Sequence, residues 1–280
     1  MREISCESII QTVAEMCVEA NLHLTEDVSG ALHKAAACEV NPLGKQILAS
    51  LEENLEIAGR ENIPICQDTG MAVFFVTIGQ EVHITGGSLT DAINEGVRKG
   101  YTEGYLRKSV VNDPLLRVNT KDNTPAVIHY DIVPGDALKL TFAPKGFGSE
   151  NMSKLYMLKP ADGVEGVEEA VLSAVRDAGP NACPPMVIGV GIGGTFEKAA
   201  ILAKTALTRN MSEHSALPHI AELEERLLKR INDLDIGPGG FGGKTTAFGI
   251  RVETYPTHIA GLPVAVNICC HVNRHSVREL

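Results

Sequence analysis

The sequence predicts a mixed α/β protein, in which an N-terminal helical region packs on a β-containing core that carries glycine-rich active-site loops. Apolar residues recur at helical spacing through roughly the first 60 residues. From residue 72 onward, apolar runs rich in β-branched and aromatic residues alternate with amphipathic segments. Ten of the 27 glycines lie in residues 1–134 and seventeen in residues 135–261, so the second half is expected to supply the loops that line a site.

The composition is that of a folded chain rather than a disordered or fibrous one. Hydrophobic residues make up 44% and charged residues 21% of 280 residues, enough to bury a large core. The net charge of −10, the 4% aromatic content and the absence of Trp disfavour nucleic-acid binding. The acidic N-terminus MREISCESII is no signal peptide, and no apolar run is long enough for a membrane span. We therefore expect a cytoplasmic protein with reduced thiols.

The helical region is predicted to contain three helices. Residues 4–24 carry apolar side chains at helical spacing, and Thr25 begins a second helix with acids in its first turn. After the break at Asn41-Pro42, a third helix extends to residue 60. The chain is thus predicted to consist of a helical region, residues 1–60, and one core, residues 61–280.

The core is predicted to mix strands with helices. The expected strands are residues 72–78, 126–133, 137–143, 186–190, 246–253 and 263–269, and the expected helices are 89–111, 164–177, 195–208 and 218–234. The turn sequence Pro134-Gly135-Asp136 predicts a hairpin between the second and third of these strands. Residues 145–151 are predicted to form a polar glycine loop.

Two glycine motifs imitate nucleotide-binding signatures. Residues 189–194 fit G-x-G-x-x-G, but the acid at the expected offset, Glu213, lies in a polar segment that no strand precedes. We interpret this motif as a tight strand-to-helix turn that could hold a small anion. Residues 239–245 resemble a phosphate-binding loop, yet Pro238 stands where that pattern needs glycine. The alternative is a functional loop with Lys244 near an anion.

The seven cysteines argue against a disulfide framework, because their number is odd and they are scattered. Cys66, Cys183 and Cys270 lie in turn-rich contexts, 117 and 87 residues apart, with no local C-x-x-C pair. Three ligands from distant loops suit a [4Fe–4S] cluster with one open iron, whereas buried structural thiols are the alternative. Cys269 and Cys270 would point to opposite faces of a strand, and the pattern does not choose between them.

Motifs in the same order along most of the chain are similar to those of a known family. They resemble the α subunit of the iron–sulfur hydro-lyases that comprise class I fumarate hydratase and L(+)-tartrate dehydratase. The matching segments are ICQDTG (65–70), KGFGSENMS (145–153), NACPP (181–185), GVGIGGTFEKAA (189–200), GPGGFGGKTT (237–246), PTHIAGLPVAVN (256–267) and CHVNRH (270–275).

The resemblance implies a [4Fe–4S] cluster held by Cys66, Cys183 and Cys270, with a fourth iron open to substrate. It selects Cys270 over Cys269, because the family ligand immediately precedes His. It also implies that Asp68 is a catalytic acid/base.

The resemblance further implies a set of residues at the substrate. Arg107 fits the Arg that binds a substrate carboxylate better than Arg117 does. In the segment of residues 145–151, Phe147 replaces a glycine of the family pattern. The expected substrate-binding residues are Gln67, Arg107, Gly146, Gly148 and Lys244, and His258 is expected to be catalytic.

We therefore predict the α subunit of a hydro-lyase that reversibly hydrates fumarate to (S)-malate. Alternatives are L(+)-tartrate dehydratase, a mesaconate or methyl-malate hydratase, an iron–sulfur redox-sensing protein and, third, a nucleotide-dependent dehydrogenase. Single-chain relatives continue into a domain that supplies further catalytic residues, whereas this sequence ends at Leu280. A separate β subunit, an α2β2 assembly and a dicarboxylate substrate are the expected partners.

Overall fold

A computed structural model describes residues 1–280, which form two compact units. Unit 1 comprises residues 1–25, 55–146 and 274–280, and unit 2 comprises residues 26–54 and 147–273. Residues 1–60, predicted as one helical region, are thus divided between the two units. None of the helices combines the length and apolar character needed to cross a lipid bilayer.

The element order is that of a mixed α/β chain, as predicted. The helices are α1 (Cys6–Leu22), α2 (Glu26–Cys38), α3 (Pro42–Glu61), α4 (Leu89–Glu103), α5 (Phe147–Glu150), α6 (Gly163–Ala178), α7 (Phe196–Ala206) and α8 (Pro218–Asn232). The strands are β1 (Arg2–Ser5), β2 (Met71–Gly79), β3 (Val82–Thr85), β4 (Val127–Val133), β5 (Leu138–Lys145), β6 (Lys154–Leu158), β7 (Met186–Gly193), β8 (Ala247–Tyr255), β9 (Leu262–Cys269) and β10 (Ser276–Glu279). Short 3-10 helices lie at Pro160–Asp162, Gly179–Ala182 and Pro238–Gly240.

The three predicted N-terminal helices are confirmed as α1, α2 and α3. Ser5 caps α1, because its side chain accepts a hydrogen bond from the Ser8 N–H at 3.2 Å. The predicted glycine loop of residues 145–151 contains the single-turn helix α5. The short strands β1, β3, β6 and β10 have no counterpart in the sequence prediction, because four or five residues give too little alternation to recognise.

Unit 1 is built on a four-stranded sheet in the order β10-β5-β2-β4, beside the parallel pair β1-β3. Helices α1 and α4 pack on each other and enclose a core with the inward residues of β2 and β5. Phe74 and Phe142 face each other in this core with ring centroids 4.9 Å apart. At Gly96 of α4, a Cβ atom would lie closer than 3.0 Å to Val13, so glycine permits the two helices to approach.

The predicted hairpin between β4 and β5 is wrong. β2 lies between them, parallel to β4 and antiparallel to β5. The Pro134-Gly135-Asp136 turn crosses the end of β2, where the Gly79 N–H donates to Ala137 O at 2.9 Å. A Cβ at Gly79 would collide with the Gly135 carbonyl, so this crossing depends on glycine. A local turn signal identifies the turn but not which strands pair across it.

Helix α4 is shorter than the predicted helix of residues 89–111 and ends at Glu103. Tyr105 adopts a left-handed conformation with φ of 54°, which ends the helix. The chain then turns inward, so that Leu106 is buried and its N–H donates to Tyr101 O at 3.1 Å. Residues 104–111 therefore leave the helix, because Leu106 is buried in the core and the Arg107 N–H donates to the Thr69 hydroxyl at 2.9 Å.

Unit 2 is a three-layer arrangement around a sheet in the order β6-β9-β7-β8. Helices α6 and α8 cover one face, where alternate residues of β7, β8 and β9 form the larger core. Helix α7 covers the opposite face, on which Ala199 and Ala203 pack near Ala265. Helix α7 approaches β7 closely because a Cβ at Gly189 or Gly191 would lie closer than 3.0 Å to α7 backbone atoms. The G-x-G-x-x-G pattern is thereby explained as strand–helix packing.

We expect Gly191→Ala to destabilise the protein, because the added methyl group would collide with Ala199 O. Overpacking of this kind costs about 1–3 kcal/mol. The matched control is Gly30→Ala on α2, where an added Cβ meets nothing within 4 Å. That change should stabilise the helix by about 0.5–1 kcal/mol. Denaturant unfolding of both variants measures the difference, and equal stabilities would contradict the packing explanation.

Candidate active site

The turn of residues 66–70 in unit 1 carries three of the predicted site residues. Asp68 Oδ1 accepts a hydrogen bond from the Gly70 N–H at 3.1 Å, which closes an Asx turn. Gly70 has φ of 79°, and a Cβ there would lie closer than 3.0 Å to the Lys145 main chain. The Cys66 thiol donates to Gln67 Oε1 at 3.3 Å, and Gln67 is exposed. The turn is thus fixed against the end of β5 with Gln67 on the outside.

Buried side chains bind the carbonyls at the end of this turn. The Tyr101 hydroxyl donates to Thr69 O at 2.8 Å and to Gly70 O at 3.1 Å. Asn123 Nδ2 donates to Gly70 O at 3.1 Å. Burial raises the pKa of Tyr101, so its hydroxyl stays protonated and remains a donor.

Arg274 is a residue near this turn to which the sequence assigned no role. It is 4% exposed, and its Nη2 donates to the Asp68 carbonyl. Its Nε and Nη1 are buried with no acceptor among the protein atoms. The signal available in the sequence was a basic residue in the CHVNRH segment, four positions after Cys270. Unit 1 therefore places a buried positive charge directly beside the Asp68 turn.

Thr69 joins the turn to Arg107. Its hydroxyl accepts from the Arg107 N–H at 2.9 Å and lies 3.3 Å from Arg107 O, to which it can donate. The Arg107 side chain is exposed. Arg117 lies in a different turn, inside the loop closed by the bridge between residues 111 and 119, where its N–H donates to Asp113 O at 2.9 Å. The main chain of Arg107 thus lies next to the Asp68 turn, whereas that of Arg117 is bound within its own turn.

Gly146 lies beside the Asp68 carboxylate. A Cβ built at Gly146 would lie 3.2 Å from Asp68 Oδ2, so any side chain there would press on the carboxylate. Unit 1 therefore brings together Gln67, Asp68, Arg107 and Gly146 of the predicted set.

Unit 2 brings Cys183 close to the residue after Cys270. Cys183 is exposed and left-handed, with φ of 51°, and its N–H donates to Pro180 O at 3.1 Å. The His271 N–H donates to Cys183 O at 3.4 Å, and His271 Nδ1 lies 3.0 Å from the same oxygen. Two predicted ligands far apart in sequence are thus joined through the His271 main chain and ring.

The seven cysteines fall into two groups that differ in their position in the fold. Cys6, Cys17 and Cys38 lie on helices and Cys269 on β9. Cys66, Cys183 and Cys270 lie outside helices and strands and are partly or fully exposed. None of the seven forms a disulfide. Neither unit by itself gathers three His, Cys, Asp or Glu side chains into a metal-binding group. Accessible thiols on turns are the donor chemistry that an iron–sulfur cluster needs, so these three residues fit it.

Three further predicted residues lie on exposed segments of unit 2. His258 Nδ1 accepts from the Ala260 N–H at 3.2 Å, which leaves the proton of the neutral ring on Nε2. Gly148 lies in α5, where an added Cβ would meet nothing within 4 Å. The Lys244 side chain is exposed, while its main-chain N–H donates to Glu39 Oε2 at 2.9 Å.

A family model described as "Fumarate hydratase (Fumerase)" matches residues 10–279. The putative L(+)-tartrate dehydratase subunit alpha of Methanocaldococcus jannaschii is 40% identical over 278 residues, which cover 97% of this chain and 97% of that protein. The L(+)-tartrate dehydratase subunit alpha of Escherichia coli (strain UTI89) is 31% identical over 277 residues, which cover 98% of this chain and 91% of that protein. A Shigella boydii protein of the same name is 30% identical over 277 residues.

The fold and this match define the class of the protein, which is a hydro-lyase. The chain belongs to the fumarate hydratase family, because the family model covers nearly all of its residues. The resemblance predicted from the motifs is confirmed.

We expect the thiols to differ in reactivity. In cluster-free, reduced protein, iodoacetamide should modify Cys38, Cys66, Cys183 and Cys270, while buried thiols stay protected. Burial also raises the pKa of Cys17, which keeps it protonated. Loading the cluster should then protect the three predicted ligands and leave Cys38 reactive. Mass spectrometry of the labelled peptides measures this, and persistent labelling of Cys270 in loaded protein would remove it from the ligand set.

We expect Thr69→Val to weaken substrate binding, because it removes both hydrogen bonds to the Arg107 main chain. If the Arg107 guanidinium then loses its hydrogen bonds to the substrate carboxylate, about 1.5–3 kcal/mol of binding is lost, which corresponds to a KM increase of about tenfold or more. Thr69→Ser keeps the hydroxyl and serves as the matched control. Steady-state kinetics compare the two, and equal KM values would show that the Thr69 link is not needed.

Proposed function

We propose that this chain is the α subunit of an iron–sulfur hydro-lyase that reversibly hydrates fumarate to (S)-malate. The observation that carries the proposal is the Thr69 link, which fixes the turn of Asp68 to the main chain of Arg107. Proton transfer on a carboxylate-bearing substrate requires an acid/base carboxylate near a cationic group, and this link places the main chains of the two residues next to each other. Membership of the fumarate hydratase family supports the reaction type.

Cys66, Cys183 and Cys270 are the residues that would hold a [4Fe–4S] cluster. Their accessible thiols outside helices and strands support this assignment, as does the burial of Cys269 at 5% exposure. When bound, the cluster supplies a Lewis-acidic iron with an open coordination position, which weakens the C–O bond of a hydroxy acid.

Asp68 is proposed to hold and move the proton of the reacting water. Oδ1 accepts a hydrogen bond from the Gly70 N–H, and Oδ2 lies beside Gly146, where an added Cβ would be 3.2 Å from it. The buried Arg274 guanidinium stabilises this turn by binding the Asp68 carbonyl. Proton transfer by a positioned carboxylate needs this kind of rigidity.

Arg107 is proposed to bind one substrate carboxylate, since its exposed guanidinium can form paired hydrogen bonds with two oxygens. Gln67, with an exposed amide, and the main chains of Gly146 and Gly148 are proposed to orient the substrate. His258 would donate from Nε2, because its Nδ1 is occupied by the Ala260 N–H. Lys244 would bind an anionic group of the substrate through its exposed ammonium group.

L(+)-tartrate is the second candidate substrate. The printed names of the relatives from Methanocaldococcus jannaschii and Escherichia coli favour it. Tartrate and malate are both 2-hydroxy dicarboxylates, so the same carboxylate and proton groups would serve either reaction.

A separate β subunit is proposed as the partner, with an α2β2 assembly. The relatives' names describe an alpha subunit, which supports a second kind of chain. The charge supports it as well, since this chain has a net charge of −10 and the substrate is a dianion. The predicted residues offer few cations, so further cationic groups from a partner would balance the substrate charge.

We expect Asp68→Asn to lower kcat by about 10²–10⁴-fold, the usual contribution of general acid–base catalysis. Asparagine keeps the turn-forming oxygen but cannot exchange a proton, so the iron content should not change. Asp136→Asn, the same change in an exposed turn of unit 1, is the matched control. Anaerobic kinetics with iron analysis measure both, and wild-type turnover in Asp68→Asn would reduce Asp68 to a turn residue.

The substrate and the partner can be tested together. The cluster-loaded chain should turn over substrate negligibly alone and gain activity when mixed anaerobically with its β subunit. We expect fumarate and malate to be the best substrates of a panel that includes L(+)-tartrate and mesaconate. A higher kcat/KM for L(+)-tartrate would select the second candidate. Robust hydration by the single chain would contradict the two-subunit proposal.

A further inference from the structure

The segment Gly237–Gly243, here called the glycine loop, resembles a phosphate-binding loop in sequence but not in its hydrogen bonds. A phosphate site needs main-chain N–H groups that point at the ligand. Here those groups are engaged by the protein itself. The N–H groups of Gly240, Gly242, Gly243 and Lys244 donate to Gly237 O, Ile236 O, Asp235 Oδ1 and Glu39 Oε2, at 3.0, 2.8, 2.9 and 2.9 Å. These N–H groups therefore stabilise the loop itself and do not form a phosphate site.

The glycine loop contacts the segment that carries Cys183, on both sides of that residue. The Gly239 N–H donates to Pro184 O at 2.9 Å. Gly240 packs against Pro180, since a Cβ at Gly240 would lie closer than 3.0 Å to the Pro180 Cβ. Pro180 O in turn accepts the Cys183 N–H at 3.1 Å. These contacts hold both ends of the short turn that contains the cysteine.

Cys183 needs such support, because it is left-handed without being a glycine. Its φ of 51° and ψ of 63° place it in a region that costs free energy for a residue with a side chain. A strained conformation persists only where surrounding contacts determine it. Two sets of contacts hold Cys183 in this conformation, those from Gly239 and Gly240 and those from His271 to Cys183 O.

The far end of the glycine loop is anchored by a buried carboxylate. Glu39 is 2% exposed, and its Oε1 accepts from the N–H groups of Val40 and Asn41 at 2.8 and 2.9 Å. Its Oε2 accepts from the Lys244 N–H at 2.9 Å, immediately after the loop. A Cβ at Gly243 would lie closer than 3.0 Å to this carboxylate. Glu39 thus fixes the loop where it leaves the Cys183 segment.

We propose that the glycine loop sets the position of the Cys183 thiol and that Gly240 and Glu39 are positioning residues for this iron ligand. Gly240 acts through Pro180, and Glu39 acts through the main chain of Lys244. The proposal rests on the proposed function in one respect, the ligation of iron by Cys183. Outer residues that orient a ligand contribute strongly to metal retention.

The first experiment compares Gly240→Ala with Gly242→Ala in the αβ enzyme. The two glycines have φ of 83° and 80°, so alanine is equally strained at both, but only Gly240 faces Pro180. We expect the cluster of Gly240→Ala to be lost to a ferrous chelator about tenfold faster than in wild type, as for other residues behind a metal ligand. Gly242→Ala should retain its cluster nearly as wild type. Equal loss rates in the two variants would overturn the proposal.

The second experiment avoids backbone strain by using Glu39→Gln. The amide oxygen would still accept hydrogen bonds from the N–H groups of Val40 and Asn41. The amide nitrogen would then face the Lys244 N–H, and two donors cannot form a hydrogen bond with each other. Glu53→Gln, the same change on an exposed face of α3, is the control. We expect the cluster to be lost to the chelator faster than in wild type in Glu39→Gln, but not in Glu53→Gln. If the two variants lose the cluster at equal rates, Glu39 is not a positioning residue.

A readout independent of catalysis is the alkylation of Cys183 in cluster-free protein. We expect its rate to change at least about threefold in Gly240→Ala, while that of Cys38 stays constant, since thiol reactivity follows the local environment. An unchanged rate would overturn the proposal. Cys183→Ser separates the two claims, because retention of the cluster in that variant would refute ligation by Cys183 itself. Loss of the cluster in Cys183→Ser with retention in Gly240→Ala would refute only the positioning role.

Discussion

The candidate site in unit 1 depends on hydrogen bonds to the carbonyl oxygens of one buried turn. Residues 68–70 leave their carbonyl oxygens in the interior, where an unpaired polar group is costly. Arg274 binds the first of these carbonyls, and Tyr101 binds the two that follow. Because these donors come from distant positions in the chain, the turn holds its shape only when the whole of unit 1 is folded. The exposed Gln67 and the half-buried Asp68 project from a rigid base as a result.

Glycine serves different purposes in the two units. In β7, Gly189 and Gly191 exist to let helix α7 approach the strand, which is a matter of packing. In the loop after α8, Gly239 and Gly240 let the main chain reach the Cys183 segment. Similar sequence patterns thus support stability in one place and the placement of a thiol in another. Only the atoms that a Cβ would meet distinguish these uses.

Cationic residues of unit 1 lie close to the Asp68 turn, although the chain as a whole is acidic. The net charge is −10, yet the Asp68 turn lies between cations of unit 1. Arg107 is exposed beside it, and Arg274 is buried behind it. Lys145, whose main chain packs on Gly70, is 3% exposed. This local placement of cations, rather than the average charge, is what the proposal of a dicarboxylate substrate depends on.

The sequence by itself determined most of the longer helices and strands, and it supplied the residue types of the candidate site. Periodic apolar spacing predicted α1, α2 and α3, because a helix is stabilised along one local face. The turn contexts of Cys66, Cys183 and Cys270 were likewise visible as local patterns. The tertiary structure alone decided that β2 lies between β4 and β5, that α4 ends at Glu103 and that Arg274 reaches the Asp68 carbonyl. The first and the last depend on hydrogen bonds between residues distant in sequence, and the end of α4 depends also on the burial of Leu106. Such tertiary contacts leave no periodic signal in the chain.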